Sequence, residues 1–190
     1  MRSIRKRVLS GELMSGTFLN LGSSLTAEIA GQAGLDWVLI DLEHGAGDHQ
    51  NLLFQLQALS GTPAAPLVRV AWNDPVLFKR VLDLGPCGVM APWVSSPEEA
   101  ARAVAGIRYP PLGIRGVAAM NRACGFGAAF DEYFRAANEE LLLLTQIETR
   151  PAVECAEAIA AVEGVDVLFV GPLDLSVSLG VARQFDHPTM

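Results

Sequence analysis

Seven polar side chains in this sequence follow directly on apolar runs, and their types suit a reaction site. Asp41, Glu43 and His44 come after Trp37-Val38-Leu39-Ile40, Arg69 stands near the end of Pro66 to Val70, Gln146 and Glu148 close the run begun at Leu141, and Asp174 follows Val167 to Val170. Gln146 and Glu148 are two apart, so on a strand both point to the same side. Glu148 and Asp174 are hard oxygen donors, and two such carboxylates at one edge suit a Mg²⁺ or Mn²⁺ ion whose other ligands are waters or substrate oxygens. The alternative is that each only caps the helix that follows it. His44, between Glu43 and Gly45, has the setting of a general base tuned by a carboxylate, or is a loop residue without a role. A charge at the end of a buried strand is costly unless it meets its opposite. Arg69 therefore faces a substrate carboxylate or developing oxyanion, or else a salt bridge to Asp41 or Glu43. Asp41 has a plain role open to it as well, holding backbone at the turn. His44 and His49 lack a recognisable zinc spacing, and His49 and His187 are expected to be exposed.

Periodicity defines the elements that must position these groups. Arg2, Arg5, Lys6 and Arg7, with Ile4, Val8 and Leu9 at helical spacing and Gly11 as a stop, predict a short amphipathic N-terminal helix. Six strands are expected, at Met14 to Leu21, Trp37 to Ile40, Pro66 to Val70, Gly88 to Pro92, Leu141 to Glu148 and Val167 to Val170. Helical patterns fall between them, ending at Ala33, running from Asn51 to Leu59 and Val76 to Leu84, from Pro97 to about Arg108, and from Pro151 to Ala161. A further helix is expected at Asp131 to Asn138. The stretch Tyr109 to Gly127, rich in Gly, Pro and Arg and without a period, reads as a long functional loop over one end of the domain.

Strands alternating with helices form a parallel sheet with right-handed crossovers, which brings the strand ends carrying the seven polar groups to one edge. The expected fold class is α/β, a TIM-type (β/α)8 barrel cut after about six βα units, because a complete barrel takes about 250 residues. The chain is expected to form a single domain over residues 1–190, with the C-terminal units missing.

Composition removes several classes of function. A formal net charge of −7 argues against nucleic acid or an anionic membrane as partner, and no apolar run reaches the roughly 18 residues of a membrane span. Cys87, Cys124 and Cys155 are far apart and unpaired in spacing, which fits plain core thiols and a cytoplasmic location. The only lysines are Lys6 and Lys79, neither placed for a Schiff base in a barrel. Glycine-rich nucleotide motifs and a serine nucleophile elbow are absent.

Taken in order, Trp37 to His44, Val68-Arg69, Trp72-Asn73-Asp74-Pro75, Arg108-Tyr109-Pro110-Pro111 through Gly113-Ile114-Arg115-Gly116, Gln146-Ile147-Glu148-Thr149 and Gly171 to Ser176 resemble the 4-hydroxy-2-oxoheptanedioate aldolase and 2-dehydro-3-deoxyglucarate aldolase family. The resemblance runs nearly end to end. It implies a metal-dependent class II pyruvate aldolase on the phosphoenolpyruvate/pyruvate barrel, splitting a 4-hydroxy-2-oxo acid reversibly into pyruvate and an aldehyde. Carried over by position, it implies that Glu148 and Asp174 hold a divalent ion (Mg²⁺, Mn²⁺ or Co²⁺), and that Gln146 and the backbone at Leu173 contact pyruvate. It further implies that Arg69 steadies the enolate and the transition state, that His44 is the acid/base, and that Asp83 raises the basicity of the histidine. Helical periodicity puts Asp83 at a helix end toward the opposite edge from His44, so a bent fold, a neighbouring subunit, or Asp41 as the nearer partner would reconcile the two. Small-molecule substrates and a homo-oligomer, a hexamer in the family, are the implied partners.

Two features depart from the family. Leu173 stands where a smaller Ala or Ser is usual, and the last two strands and final helix have no counterpart. A catalytically silent relative or fragment within an assembly, and a citramalyl-CoA-lyase-like carbon–carbon lyase, are the alternative readings. The loop from Tyr109 to Gly127 is expected to help cover the site, its arginines reading a distal carboxylate.

Overall fold

The computed structural model describes residues 4–190, so Arg2, counted above in the N-terminal helix, lies outside the described residues. Six parallel strands, β1 (Gly16–Leu19), β2 (Trp37–Asp41), β3 (Ala65–Arg69), β4 (Gly88–Ala91), β5 (Leu142–Ile147) and β6 (Val167–Val170), pair in sequence order. They curl into part of a barrel. Helices α1 (Ile4–Leu9), α2 (Ser24–Gln32), α3 (His49–Leu59), α4 (Pro75–Leu82), α5 (Pro97–Ile107), α6 (Phe130–Glu140), α7 (Arg150–Glu154), α8 (Ala156–Ala160) and α9 (Pro172–Ser178), with one 3-10 turn at Gly125–Gly127, complete the described elements. None of the described helices is long and apolar enough to cross a membrane.

Local chemistry sets the helix starts. Ser23, Asp48, Asp74, Ser96 and Thr149 each accept hydrogen bonds from first-turn amides, and Pro75, Pro97, Pro151 and Pro172 stand in first turns, where a missing N–H costs nothing. The helix expected at Pro151 to Ala161 is two short ones meeting at Cys155, whose ψ of 9° leaves the helical region.

Side chains alternate strictly along the strands. Val38, Ile40, Val68, Val70, Val89, Leu143 and Ile147 enter the layer between sheet and helices, together with Leu52, Leu56, Phe78, Ala103 and Ile159. Leu39, Leu67, Met90, Leu142 and Leu144 fill the inner face, closed from below by Ile4 and Val8 of α1. By the same two-residue period Asp41, Arg69, Gln146 and Glu148 belong to the inner face, at its carboxyl edge. The sheet thus separates an apolar floor from a polar rim.

The stretch 109–127 lies at the other edge, contrary to the expectation that it covers the site. Helix α5 carries the chain back from the carboxyl edge to the amino edge of the sheet. There the Ala123 amide donates to the Asp83 carbonyl, and Arg122 donates to the carbonyls of Leu84 and Leu56, at the ends of α4 and α3. Arg115 is buried in the same place. Within one chain these arginines are held by the protein and reach no ligand at the polar rim.

Candidate active site

Arg69 organises the rim. Its position opposite Asp41 in the parallel register of β2 and β3 lets Nε and Nη2 donate to the two oxygens of Asp41, at 2.9 and 2.6 Å. Nη1 lies 3.0 Å from Glu43 Oε2 and donates to Gln146 Oε1 at 3.4 Å. The salt bridge foreseen as the plain alternative is therefore present, and the guanidinium also reaches across the cleft to β5. Its carbon sits 5.3 Å from the centre of the Phe18 ring, which supports the charge from below. Burial alone would lower the guanidinium's proton affinity, but Asp41 and Glu43 hold it above its ordinary range.

Asp41 is itself fully engaged. Besides Arg69 it accepts the amides of Glu43 and His44 and the side-chain amide of Asn20 at 2.6 Å. Burial favours its neutral form, yet Arg69 and these amides outweigh that and keep the carboxyl below its usual range. Glu43 differs. Burial pushes it up, with Arg69 only partly opposing, and its Oε2 is buried without a hydrogen bond. The His44 ring is exposed on the rim, its Nε2 3.7 Å from Glu43 Oε1.

Glu148 closes the far side. Its Oε1 accepts the Trp93 amide at 2.7 Å and its Oε2 the Gln146 side-chain amide at 2.5 Å, so both oxygens are oriented by fixed donors. Burial pushes the carboxyl up to about 7; the charges of Glu43 and Asp174 add to this, while the Trp93 amide and Arg69 oppose it. Asp174 stands in the first turn of α9, half-buried, and Leu173 beside it is exposed, its carbonyl accepting from Ser176 Oγ.

This donor set fits a divalent cation. Two hard carboxylates that repel each other, with a buried Glu43 oxygen nearby that is ion-paired to Arg69 but takes no hydrogen bond, leave local negative charge that one guanidinium does not cancel. Among the described residues no three His, Cys, Asp or Glu side chains form a closed metal cluster. An ion held by Glu148 and Asp174 would keep most of its coordination for water and substrate oxygens.

Asp83 is not brought to His44. It caps the C-terminus of α4 at the amino edge, and its carboxylate receives Arg115 Nη2 at 3.1 Å. His49 is half-buried rather than exposed, and burial lowers its proton affinity, with Arg80 adding to the effect. His187 is exposed, and Cys87, Cys124 and Cys155 form no disulfide.

Three site residues lie outside the sequence-based set. Asn20 ends β1 at the same edge, where its position just after a strand is the signal. Trp93 contributes only its backbone to Glu148, which no side-chain pattern reveals. Gly171 is required by proximity, because a Cβ there would stand 2.7 Å from Glu148 Oε2 and 2.9 Å from Gln146 Nε2.

Residues 14–190 match the model of a protein family described as HpcH/HpaI aldolase/citrate lyase. The chain is 48% identical over 184 residues to a pyruvate aldolase of Rhizobium etli, covering 97% of this chain and 72% of that protein. It is 46% identical over 177 residues to a 5-keto-4-deoxy-D-glucarate aldolase of Salmonella paratyphi A, covering 93% of this chain and 69% of that protein. The crystal structure of an HpcH/HpaI aldolase/citrate lyase family protein from Burkholderia cenocepacia J2315 superposes with a TM-score of 0.94 at 40% identity, over 99% of this chain and 76% of that one.

Proposed function

The chain belongs to the HpcH/HpaI aldolase/citrate lyase family, and on that premise we propose that it is a carbon–carbon lyase that cleaves a 4-hydroxy-2-oxo acid reversibly to pyruvate and an aldehyde, as a class II aldolase. The observation that carries this reading is the convergence of Arg69, Gln146 and Glu148 on one inner edge with an excess of carboxylate around them. Names of relatives that act on a keto-deoxy sugar acid and on pyruvate support the same chemistry.

In the cleavage direction the proton of the 4-hydroxyl passes to His44 Nε2, the C3–C4 bond breaks as the aldehyde carbonyl forms, and the bonding pair moves into the 2-oxo group to give the pyruvate enolate. A proton then returns to C3. Glu43, 3.7 Å from Nε2, favours the imidazolium formed in the first step. Arg69, pinned by Asp41 so that it cannot swing away, steadies negative charge as it develops on the enolate. Gln146 and the backbone at Leu173 orient the pyruvate half. A divalent ion held by Glu148 and Asp174, magnesium, manganese or cobalt, would supply Lewis-acid stabilisation of that charge.

Asp83 has a role in this reading only from another copy. Its place at the amino edge supports a homo-oligomer, a hexamer by the resemblance, in which Asp83 reaches the His44 of a neighbouring subunit and raises its basicity. Residues 1–190 act as one domain with two units fewer than an eight-fold barrel, and a cytoplasmic location suits three cysteines that form no disulfide. Release of pyruvate from a 4-hydroxy-2-oxo acid, followed by a coupled reduction, tests the function. Activity restored by Mg²⁺ or Mn²⁺ after chelation is the expected result, and turnover indifferent to chelator and to Arg69→Ala would contradict it.

A further inference from the structure

One transfer in the cleavage reaction has no donor among the residues assigned above, namely the proton that reaches C3 of the enolate. Its carrier must end in an atom free to take and return a proton, and must stand beside Arg69, which steadies the enolate in that reading. Asp41 does not qualify. Its Oδ1 accepts the amides of Glu43 and His44 and Nε of Arg69, and its Oδ2 accepts Arg69 Nη2 and the Asn20 side chain. Both oxygens of Glu148 are taken as well, by the Trp93 amide and the Gln146 side chain, and Asp174 stands with Glu148 as the candidate pair for the cation.

Glu43 remains. Its amide and that of His44 donate to the same Asp41 oxygen, at 3.0 and 3.3 Å, so one buried carboxylate fixes both residues after β2. The two oxygens of Glu43 then divide their contacts. Oε2 is buried 3.0 Å from Arg69 Nη1, an ion pair that anchors the side chain at the guanidinium without a hydrogen bond. Oε1 is turned to His44, 3.7 Å from Nε2, and accepts no hydrogen bond among the described residues. A tenth of the side chain stays accessible, and Oε2 has almost no share of it. All these contacts lie within one chain, and none depends on a second copy.

We propose that Glu43 is the catalytic residue that serves C3, its Oε1 passing the proton to and from His44. The inference rests on the aldolase reading and completes its proton path. In cleavage His44 Nε2 takes the 4-hydroxyl proton as the C3–C4 bond breaks. The imidazolium gives that proton to Glu43 Oε1, and Glu43 gives it to C3, where the electron pair of the enolate forms the new C–H bond of pyruvate. Imidazole and carboxylate are both restored, and no outside acid is consumed. In synthesis the path reverses, with Glu43 taking a C3 proton and His44 returning it to the aldehyde oxygen. The 3.7 Å separation is longer than a hydrogen bond, and catalytic contacts of that kind tighten once substrate binds.

Two half-reactions separate Glu43 from His44. Exchange of the C3 protons of pyruvate in deuterated buffer needs only the base at C3, whereas aldehyde release from 4-hydroxy-2-oxopentanoate in a single turnover needs only the base at the 4-hydroxyl. Both are measured per folded molecule with Mg²⁺ present. Glu43→Gln is expected to slow exchange by ~10²-fold or more, the scale for a lost general base, and aldehyde release by under about tenfold. His44→Ala is expected to move the ratio of the two in the opposite direction. Glu43→Asp keeps the charge beside Arg69 but withdraws the oxygen by one methylene. It is expected to show the same split as Glu43→Gln, and it takes the place of that variant if the latter does not fold. Exchange in Glu43→Gln within about threefold of the unmodified chain overturns the inference. Equal losses of exchange and aldehyde release overturn it too, since Glu43 would then only hold Arg69 in place. Absence of both half-reactions from the unmodified chain brings down the aldolase reading and this inference with it, whereas exchange that survives in Glu43→Gln brings down this inference alone.

Discussion

Each edge of the sheet buries one organising arginine, and the two are treated differently. At the amino edge Arg115 lies between the rings of Tyr109 and Tyr133, 4.5 and 5.5 Å from their centres, and bonds to the Tyr133 hydroxyl and to Asp83, both at 3.1 Å. One carboxylate and two π faces meet one charge. Burial there pushes the Tyr109 hydroxyl up to about 12, so the surroundings remain neutral. At the carboxyl edge Arg69 meets Asp41 and Glu43, with Glu148 and Asp174 beyond, and the acids outnumber it. A charge-balanced cluster holds the fold together, whereas an under-neutralised one is held ready for a ligand that brings positive charge or displaces it. The residue type is the same in both, and the count of neighbouring charges separates structure from chemistry.

The sharpest way to break this comparison is to delete each arginine. Arg69→Ala leaves the buried Asp41 carboxylate without its cation and is expected to cost about 3–5 kcal/mol in urea denaturation; Arg115→Ala empties a fully buried guanidinium site beside half-buried Asp83 and is expected to cost a similar amount. Only Arg69→Ala is expected to lower pyruvate exchange per folded molecule by a further ~10²–10³-fold, the scale for losing a donor to a developing oxyanion. Equal losses of exchange in the two variants would erase the distinction.

Acidity gives the next largest effect. The Glu148 carboxyl is raised in the folded chain above its unfolded value, to about 7. Its contribution to stability is therefore fully present below its unfolded pKa of about 4.5 and is lost as pH rises through about 7. For the metal-free chain that share amounts to about 3 kcal/mol between pH 4.5 and 8. Glu148→Gln is expected to flatten this part of the profile and to make the metal-free chain more stable at pH 8, as read from urea midpoints. Mg²⁺ should raise the midpoint of the unmodified chain more at pH 8 than at pH 5, and that gain should shrink in the variant. A profile unchanged by the substitution would remove Glu148 from the charge imbalance.

Gly171→Ala probes crowding alone. The backbone φ of −98° suits alanine, so the added methyl acts through Glu148 and Gln146. A loss of about 10–100-fold in exchange with a stability change under about 1 kcal/mol is expected. The smallest effect is at Asp83. Asp83→Asn should lower stability by about 1 kcal/mol, and it should slow cleavage of the 4-hydroxy-2-oxo acid per folded molecule if Asp83 serves the His44 of a neighbouring copy. An unchanged cleavage rate assigns Asp83 to Arg115 alone.

Much of this was legible in the sequence because a parallel strand declares itself as an apolar run, and period two then fixes which polar residue shares the inner face. Gln146 and Glu148 follow from that rule directly. Whether Arg69 met Asp41 or a ligand was not legible, since it depends on the register that sets Asp41 beside Arg69. The edge at which the loop after Arg108 lies is not legible in its composition, which says nothing of direction; the reversal of the chain by helix α5 sets it. Trp93 and Gly171 act through a backbone amide and a missing Cβ, neither of which is a side-chain signal. Helical phase puts Asp83 at the opposite edge from His44, and within one chain the two stay apart.

The central claim is that the carboxyl edge stabilises the pyruvate enolate, and proton NMR of pyruvate in deuterated buffer tests it without any choice of aldehyde. Loss of the methyl signal with Mg²⁺ or Mn²⁺, stopped by chelator and reduced by ~10²–10³-fold in Arg69→Ala, is the predicted result. A methyl signal that persists with a folded, metal-loaded chain would contradict it.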